Sequence, residues 1–151
     1  MITAFYSSVL DHPLERVWSL VRDFNNYPRY VDGVIEDNLR GDEVGAVRRF
    51  NYQGNWIRQR LLRHSDEQRL LSYQGIDPLA FPADPSAKTP SPARYEGTIQ
   101  LHPIVDGDKT FIAWPVILDP AAGDDEPWHR LFMAWIPEWT DSLRRALARG
   151  A

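Results

Sequence analysis

Tyr73 and Tyr95 are the residues of this sequence best placed to do chemistry. Each lies in a segment that alternates polar and apolar residues, the pattern of a strand whose alternate side chains share a face. Leu71, Tyr73 and Gly75 fall on one face of the first segment, and Tyr95, Gly97, Ile99 and Leu101 on one face of the second. Their apolar companions predict that both faces point inward, with two phenols bordering an interior space. A phenol there can orient a ligand carbonyl or act as a general acid. The competing reading is that each hydroxyl only satisfies a backbone group or a water. Gln59 shares its parity with Ile57 and Leu61, so its amide is expected on the same interior, where it can bind but exchanges no proton near neutral pH.

Aromatic residues supply the expected walls. Trp135 and Trp139, with Phe132 nearby and Trp114 on a late strand, are candidate ligand contacts, as is Phe81 from a proline-rich segment. A tryptophan stripe fills a core more often than it forms a ligand cage. An unfilled volume of roughly several hundred Å³ between stripe and sheet would tell them apart. Arg48 and Arg49 are adjacent on a strand, so one must face inward. A buried guanidinium wants an acid partner, and Glu96 is the nearest candidate; the expectation is a solvated arginine at both positions. Arg58 and Arg60 are expected to face solvent, and Trp56, by parity with Arg58, to lie outside or under the gate.

Other chemistries find no support. His12, His64, His102 and His129 show no i, i+4 pair and no acidic cluster beside them, so no metal is expected. No Gly-x-Ser-x-Gly elbow, Gly-x-Gly-x-x-Gly run or Gly-Lys-Ser/Thr signature is present, and no cofactor is expected. With no cysteine, thiolate catalysis and disulfides are excluded. A net charge of −4 without a basic patch argues against a nucleic-acid partner. Neither a secretory leader nor a membrane-spanning run is visible, so a cytoplasmic protein is the default expectation.

The elements that must position these residues are readable from their punctuation. Thr3 to Leu10 reads as a strand. Asp11 as cap and Pro13 in the first turn open a helix carrying Leu14, Val17, Trp18, Val21 and Phe24 on one face. It breaks at Asn25-Asn26-Tyr27-Pro28, and a second helical turn is expected over Arg29 to Val31. Strands follow over Val34 to Arg40, Ala46 to Tyr52, Trp56 to Arg63 and Leu70 to Ile76, with Gly54-Asn55 as a tight turn. Asp77 to Ala93 holds five of the chain's 12 prolines together with Leu79 and Phe81, and reads as a stiffened flap over an opening, the alternative being a surface insertion with no contact to ligand. Arg94 to Pro103 and Thr110 to Leu118 form a hairpin. Asp124-Asp125-Glu126-Pro127 starts a final helix to about Ala148, with Leu131, Trp135, Trp139, Leu143 and Leu147 as its apolar stripe and Pro137 as an expected kink or break. At 151 residues, one domain over 1–151 is expected.

Val17-Trp18-Ser19-Leu20-Val21-Arg22-Asp23-Phe24, Arg60-Leu61, Leu71-Ser72-Tyr73, Tyr95-Glu96-Gly97-Thr98-Ile99 and Ala113-Trp114 occur in an order that resembles the START-like, birch-pollen-allergen superfamily, in its bacterial polyketide cyclase/dehydrase-like branch. The resemblance implies an α+β helix-grip fold: a curved seven-stranded antiparallel sheet around the long C-terminal helix, with two short helices after strand 1. It also implies gates at Tyr52-Gln53-Gly54-Asn55 and at the 77–93 loop. The glycine-leucine-proline gate of the abscisic-acid receptors is absent from the first gate, so hormone reception does not carry over. The leading expectation is a domain that binds a hydrophobic, aromatic or polycyclic small molecule. The alternative is a cyclase/aromatase or lyase using Tyr73 and Tyr95 as proton donors, and a third reading is an interaction domain. Oligomeric state stays open between monomer and dimer.

Overall fold

The computed structural model describes residues 1–37, 43–81 and 89–150. Nine strands and two α-helices follow in the order β1 (Ile2–Ala4), β2 (Ser7–Leu10), α1 (Leu14–Val21), β3 (Ile35–Asp37), β4 (Val47–Tyr52), β5 (Asn55–Ser65), β6 (Leu70–Gly75), β7 (Tyr95–Ile104), β8 (Lys109–Ala113), β9 (Val116–Leu118) and α2 (Asp125–Ala148). A single 3-10 turn, Tyr27–Arg29, follows α1. All strand pairs are antiparallel, in the order β1-β9-β7-β6-β5-β4-β3, with β8 pairing both β7 and β2. This is the expected α+β helix-grip fold, with a long C-terminal helix on an open antiparallel sheet.

The seven expected strands become nine because two of them break. The 3–10 strand is interrupted at Phe5-Tyr6, and the 110–118 strand at Trp114-Pro115, where proline has no N–H for the ladder. The breaks face each other. Trp114 N–H donates to the Tyr6 carbonyl at 2.8 Å, and Thr98 N–H donates to the Pro115 carbonyl at 3.0 Å. The sheet therefore bends here without losing its bonding.

Three local expectations need correction. Asp11 does not cap α1: Pro13 occupies the cap position with no side-chain bond, and Asp11 pairs with Lys109 at 3.2 Å. The second helical turn forms over Tyr27–Arg29, not 29–31, because Pro28 is accepted in a first turn and Tyr27 can then be buried. The β4–β5 turn is centred on Gln53-Gly54, both with positive φ, not on Gly54-Asn55. Pro137 lies within α2 without interrupting it. Residues 38–40 of the expected 34–40 strand, and the middle of the 77–93 flap, lie outside the described residues.

The core lies between the concave sheet face and one side of α2, where Phe132, Trp135, Ile136, Trp139, Leu143 and Leu147 are buried. Burying apolar surface at about 25 cal/mol per Å² drives this packing. The inward faces of β4, β5 and β7 alternate as their sequences require, with Phe50 and Tyr52, Ile57 and Leu61, and Tyr95 and Ile99 all buried.

Candidate ligand cavity

A row of side chains crosses four strands at one level of the concave face. Arg48 on β4 stands opposite Gln59 on β5, and Gln59 opposite Gly75 on β6. Tyr95 on β7 follows, because β6 and β7 pair through Gln74↔Glu96. Gly75 lets the Tyr95 ring lie across the sheet: a Cβ there would stand 1.9 Å from Tyr95 Cε1. The neighbouring pair repeats the device in reverse. Tyr73 is opposite Gly97, and a Cβ on Gly97 would stand 2.3 Å from Tyr73 Cζ. Each tyrosine therefore occupies the space above the other strand's glycine.

Arg48 is fully buried, contrary to the expectation of a solvated side chain, and Glu96 is not its partner. Glu96 binds Arg94 at 2.7 Å. The Arg48 guanidinium instead donates through Nε and Nη2 to Gln59 Oε1 at 2.9 and 2.7 Å, with a longer contact to the Phe24 carbonyl at 3.4 Å. It also lies over the rings of Tyr27 at 4.0 Å and Phe24 at 4.2 Å. Ring faces and an amide oxygen replace the carboxylate that a buried cation ordinarily requires. Arg49 points the other way and stacks on Trp56 at 4.1 Å; that tryptophan is 47% exposed, outside as its parity implied.

Between this row and α2 is a cavity lined by Tyr27, Phe50, Tyr52, Ile57, Gln59, Tyr73, Leu79, Tyr95, Phe132, Trp135 and Trp139. Of the residues singled out from sequence, Gln59, Tyr73, Tyr95, Phe132, Trp135 and Trp139 meet here. Trp114 does not line it. It lies behind the wall, wholly buried, packed on Trp139 at 5.5 Å and donating from Nε1 to the Tyr73 hydroxyl at 3.1 Å. Phe81 is also displaced, packing edge-on against Trp128 at 5.0 Å, while Leu79 from the same segment closes the cavity. The stem of the flap is thus tied to the body, where Trp128 Nε1 also donates to the Pro90 carbonyl and Leu79 N–H to Ser91 Oγ. Sequence reasoning missed Tyr27 and Phe50, and it named Tyr52, Ile57, Leu79 and Arg48 only as gate, interior or flap residues, not as part of the site. For Phe50, Tyr52 and Arg48 the shared parity on β4 was the available signal.

The free space is small, about 30 Å³, room for on the order of one or two waters. That is far below the several hundred Å³ of a ligand cage, so in the resting protein Trp135 and Trp139 pack as core. The aromatic side chains themselves occupy the volume, held edge to face: Phe132 against Trp135 at 5.3 Å, Tyr52 against Trp135 at 5.7 Å. A second recess, lined by Tyr52, Gln53, Asn55, Ile57, Leu79, Ala80 and Trp135, lies under the β4–β5 turn. It shares Tyr52, Ile57, Leu79 and Trp135 with the cavity, so these four side chains border both spaces.

The tyrosines are neutral. Burial pushes the Tyr27, Tyr73 and Tyr95 phenols above their ordinary value, Arg48 pulling each partly back. Burial does the same at Tyr52, whose hydroxyl accepts from Trp139 Nε1 at 3.1 Å. Only the Tyr95 hydroxyl among the lining tyrosines is buried with no hydrogen-bond partner, although the Gln59 amide is close enough to lower its pKa. Among the described residues no three His, Asp or Glu side chains converge as metal ligands.

The family model for polyketide cyclase / dehydrase and lipid transport proteins matches residues 1–150. The chain belongs to this family. Among solved structures, this polyketide cyclase / dehydrase and lipid transport family member is similar to XoxI from Bacillus cereus, at 22% identity over 97% of this chain and 95% of that one, with a TM-score of 0.80. It is similar to an uncharacterized protein from Bacillus thuringiensis at 22% identity over 96% and 98%, also at 0.80. A protein from Thermus thermophilus aligns at 16% identity over 99% and 100%, at 0.72. At these identities the likeness concerns the fold. No curated protein matches the chain.

Proposed function

We propose that this protein binds a hydrophobic aromatic or polycyclic small molecule between α2 and the concave sheet face. Family membership supports a hydrophobic ligand, and the observation that carries the finer reading is the cavity wall. Its flat walls come from Tyr27, Phe50, Phe132, Trp135 and Trp139, and among its polar groups the Gln59 amide lies beside the Tyr95 hydroxyl. Ligand sites are mostly apolar with a few placed polar groups. The ligand enters by displacing Leu79 and the indoles, because the resting space is too small for a ring system.

A cyclase or aromatase role is the second reading, favoured by the unpartnered hydroxyl of Tyr95. It ranks lower because burial holds that phenol's proton tightly, which suits hydrogen-bond donation better than proton transfer near neutral pH. Burial likewise pushes up the Tyr73 phenol, whose oxygen accepts from Trp114 while its O–H stays free to donate.

A thermal-shift screen over aromatic polyketides, phenolics, sterols and fatty acids tests the proposal. A ligand at 100 times its Kd stabilises the folded state by about 2.7 kcal/mol. The expected outcome is a shift restricted to flat ring compounds, with quenching of indole emission that weakens in W135F. Stabilisation by acyl chains alone, or without any change in indole emission, would count against the cavity.

A further inference from the structure

We infer that the ligand carries an anionic oxygen on its aromatic frame, received by Gln59 Nε2 and the Tyr95 hydroxyl, with Arg48 as a positioning residue behind the amide. The inference rests on the binding function proposed above and names its substrate class. Arg48 is a wholly buried cation whose hydrogen bonds go to an amide and a backbone carbonyl, and among the described residues no carboxylate bonds it. Two acids flanking the row bond other arginines: Asp77 bonds Arg58 at 2.8 and 2.9 Å, though its charge still reaches Tyr95, and Glu96 bonds Arg94. Ring faces stabilise the guanidinium but do not cancel its charge, and that charge acts over a longer distance in a medium that excludes water.

A guanidinium only donates, so the oxygen of the Gln59 amide must be the atom turned to Arg48. Planarity then directs Nε2 away from Arg48, along the row towards Tyr95. A cation bound at the amide oxygen polarises the group and strengthens its N–H donors. Gly75 contributes by having no side chain, which brings the Tyr95 ring across the strand to the same point. The Tyr95 hydroxyl is buried there beside the Gln59 amide without a well-formed hydrogen bond, and its proton has no acceptor until an incoming one supplies it. Two donors backed by a buried positive charge match an oxygen bearing negative charge, and the surrounding rings match the aromatic frame that carries it.

4-Nitrophenol tests this directly, since it is a single ring that titrates near neutrality and its phenolate absorbs visible light. An apolar cavity alone raises the pKa of a bound phenol, whereas a nearby opposite charge lowers it by about 1 to 3 units. The expected result with the full chain is a bound pKa lowered by at least about one unit. In R48M, which keeps the volume and removes the charge, the bound pKa rises above the free value. Q59E supplies Arg48 with a carboxylate and removes the donor, and gives the same rise if R48M fails to fold. A raised bound pKa in the unaltered protein overturns the inference and leaves the binding function standing, as does equally tight binding of the capped analogue 4-nitroanisole. A lowered pKa unmoved by both substitutions overturns the role given to Arg48 and Gln59. Silence of both probes overturns the inference together with the binding function.

Discussion

Tyr73 and Tyr95 look equivalent along the strands, yet their hydroxyls have opposite circumstances. The Tyr73 oxygen accepts from Trp114 Nε1, an indole that is itself wholly buried, while the Tyr95 oxygen has no partner. Removing one partner of a buried hydrogen bond costs about 1 to 3 kcal/mol, whereas removing a buried orphan costs little. Y73F is therefore expected to lower stability in urea denaturation by about that amount, and Y95F to leave it unchanged or slightly higher. Equal losses in the two variants would mean that the orphan has a partner in solution. Strand parity placed both rings on the inner face, with Gln59, and did so from sequence alone. Parity carries no information about which hydroxyl is satisfied, because Trp114 reaches Tyr73 from a strand that is distant in sequence. It failed at Arg48 for a different reason. The inward position was legible, but the expectation that a buried arginine needs a carboxylate overrode it, and rings from the α1 end and the 3-10 turn stabilise the charge instead.

At the scale of elements, most segments were legible because turns, prolines and alternation mark their ends. Of the two breaks that divide strands, Pro115 marked one in the sequence, whereas that at Phe5-Tyr6 has no local mark and depends on its partner across the sheet. The seat of Leu79, which lies in a segment without periodicity, was not legible either. One contact between elements gives a pH signature. Asp66, in the β5–β6 turn, accepts from Arg22 Nε at 2.9 Å and from Trp18 Nε1 at 2.8 Å, clasping α1 to the sheet. Arg22, and then Trp18, hold its carboxyl down from an ordinary 3.8 to about 2. A carboxyl depressed in the folded state stabilises above its unfolded value and loses that contribution as pH falls through the folded one. The unaltered protein should therefore melt higher than D66N at neutral pH. That lead should shrink as pH falls from 3.8 towards about 2. Melting curves in a buffer series check this, and a lead constant across the window would refute the clasp.

For the molecule as a whole, the closed cavity sets the terms of binding. A protein whose binding-competent state is a minor population shows an apparent affinity reduced by that fraction. Leu79 stands at the constriction between the cavity and the recess beneath the β4–β5 turn. L79A should join the two spaces, speeding ligand-induced quenching in stopped-flow measurements while lowering stability by about 2 kcal/mol, the low end for a buried leucine. A loss of about 2 kcal/mol with an unchanged association rate would place the entrance elsewhere. The two tyrosine–glycine pairs have a consequence for how the sheet assembles. Sliding β6 along β7 by two residues keeps every side chain on its proper face, so hydrophobic alternation alone does not forbid it. It would, however, set Tyr73 against Tyr95 or Ile99, and no glycine would remain beneath the ring. The interlock thus discriminates against both two-residue slips that burial tolerates, and favours the observed register for the strands at the centre of the fold.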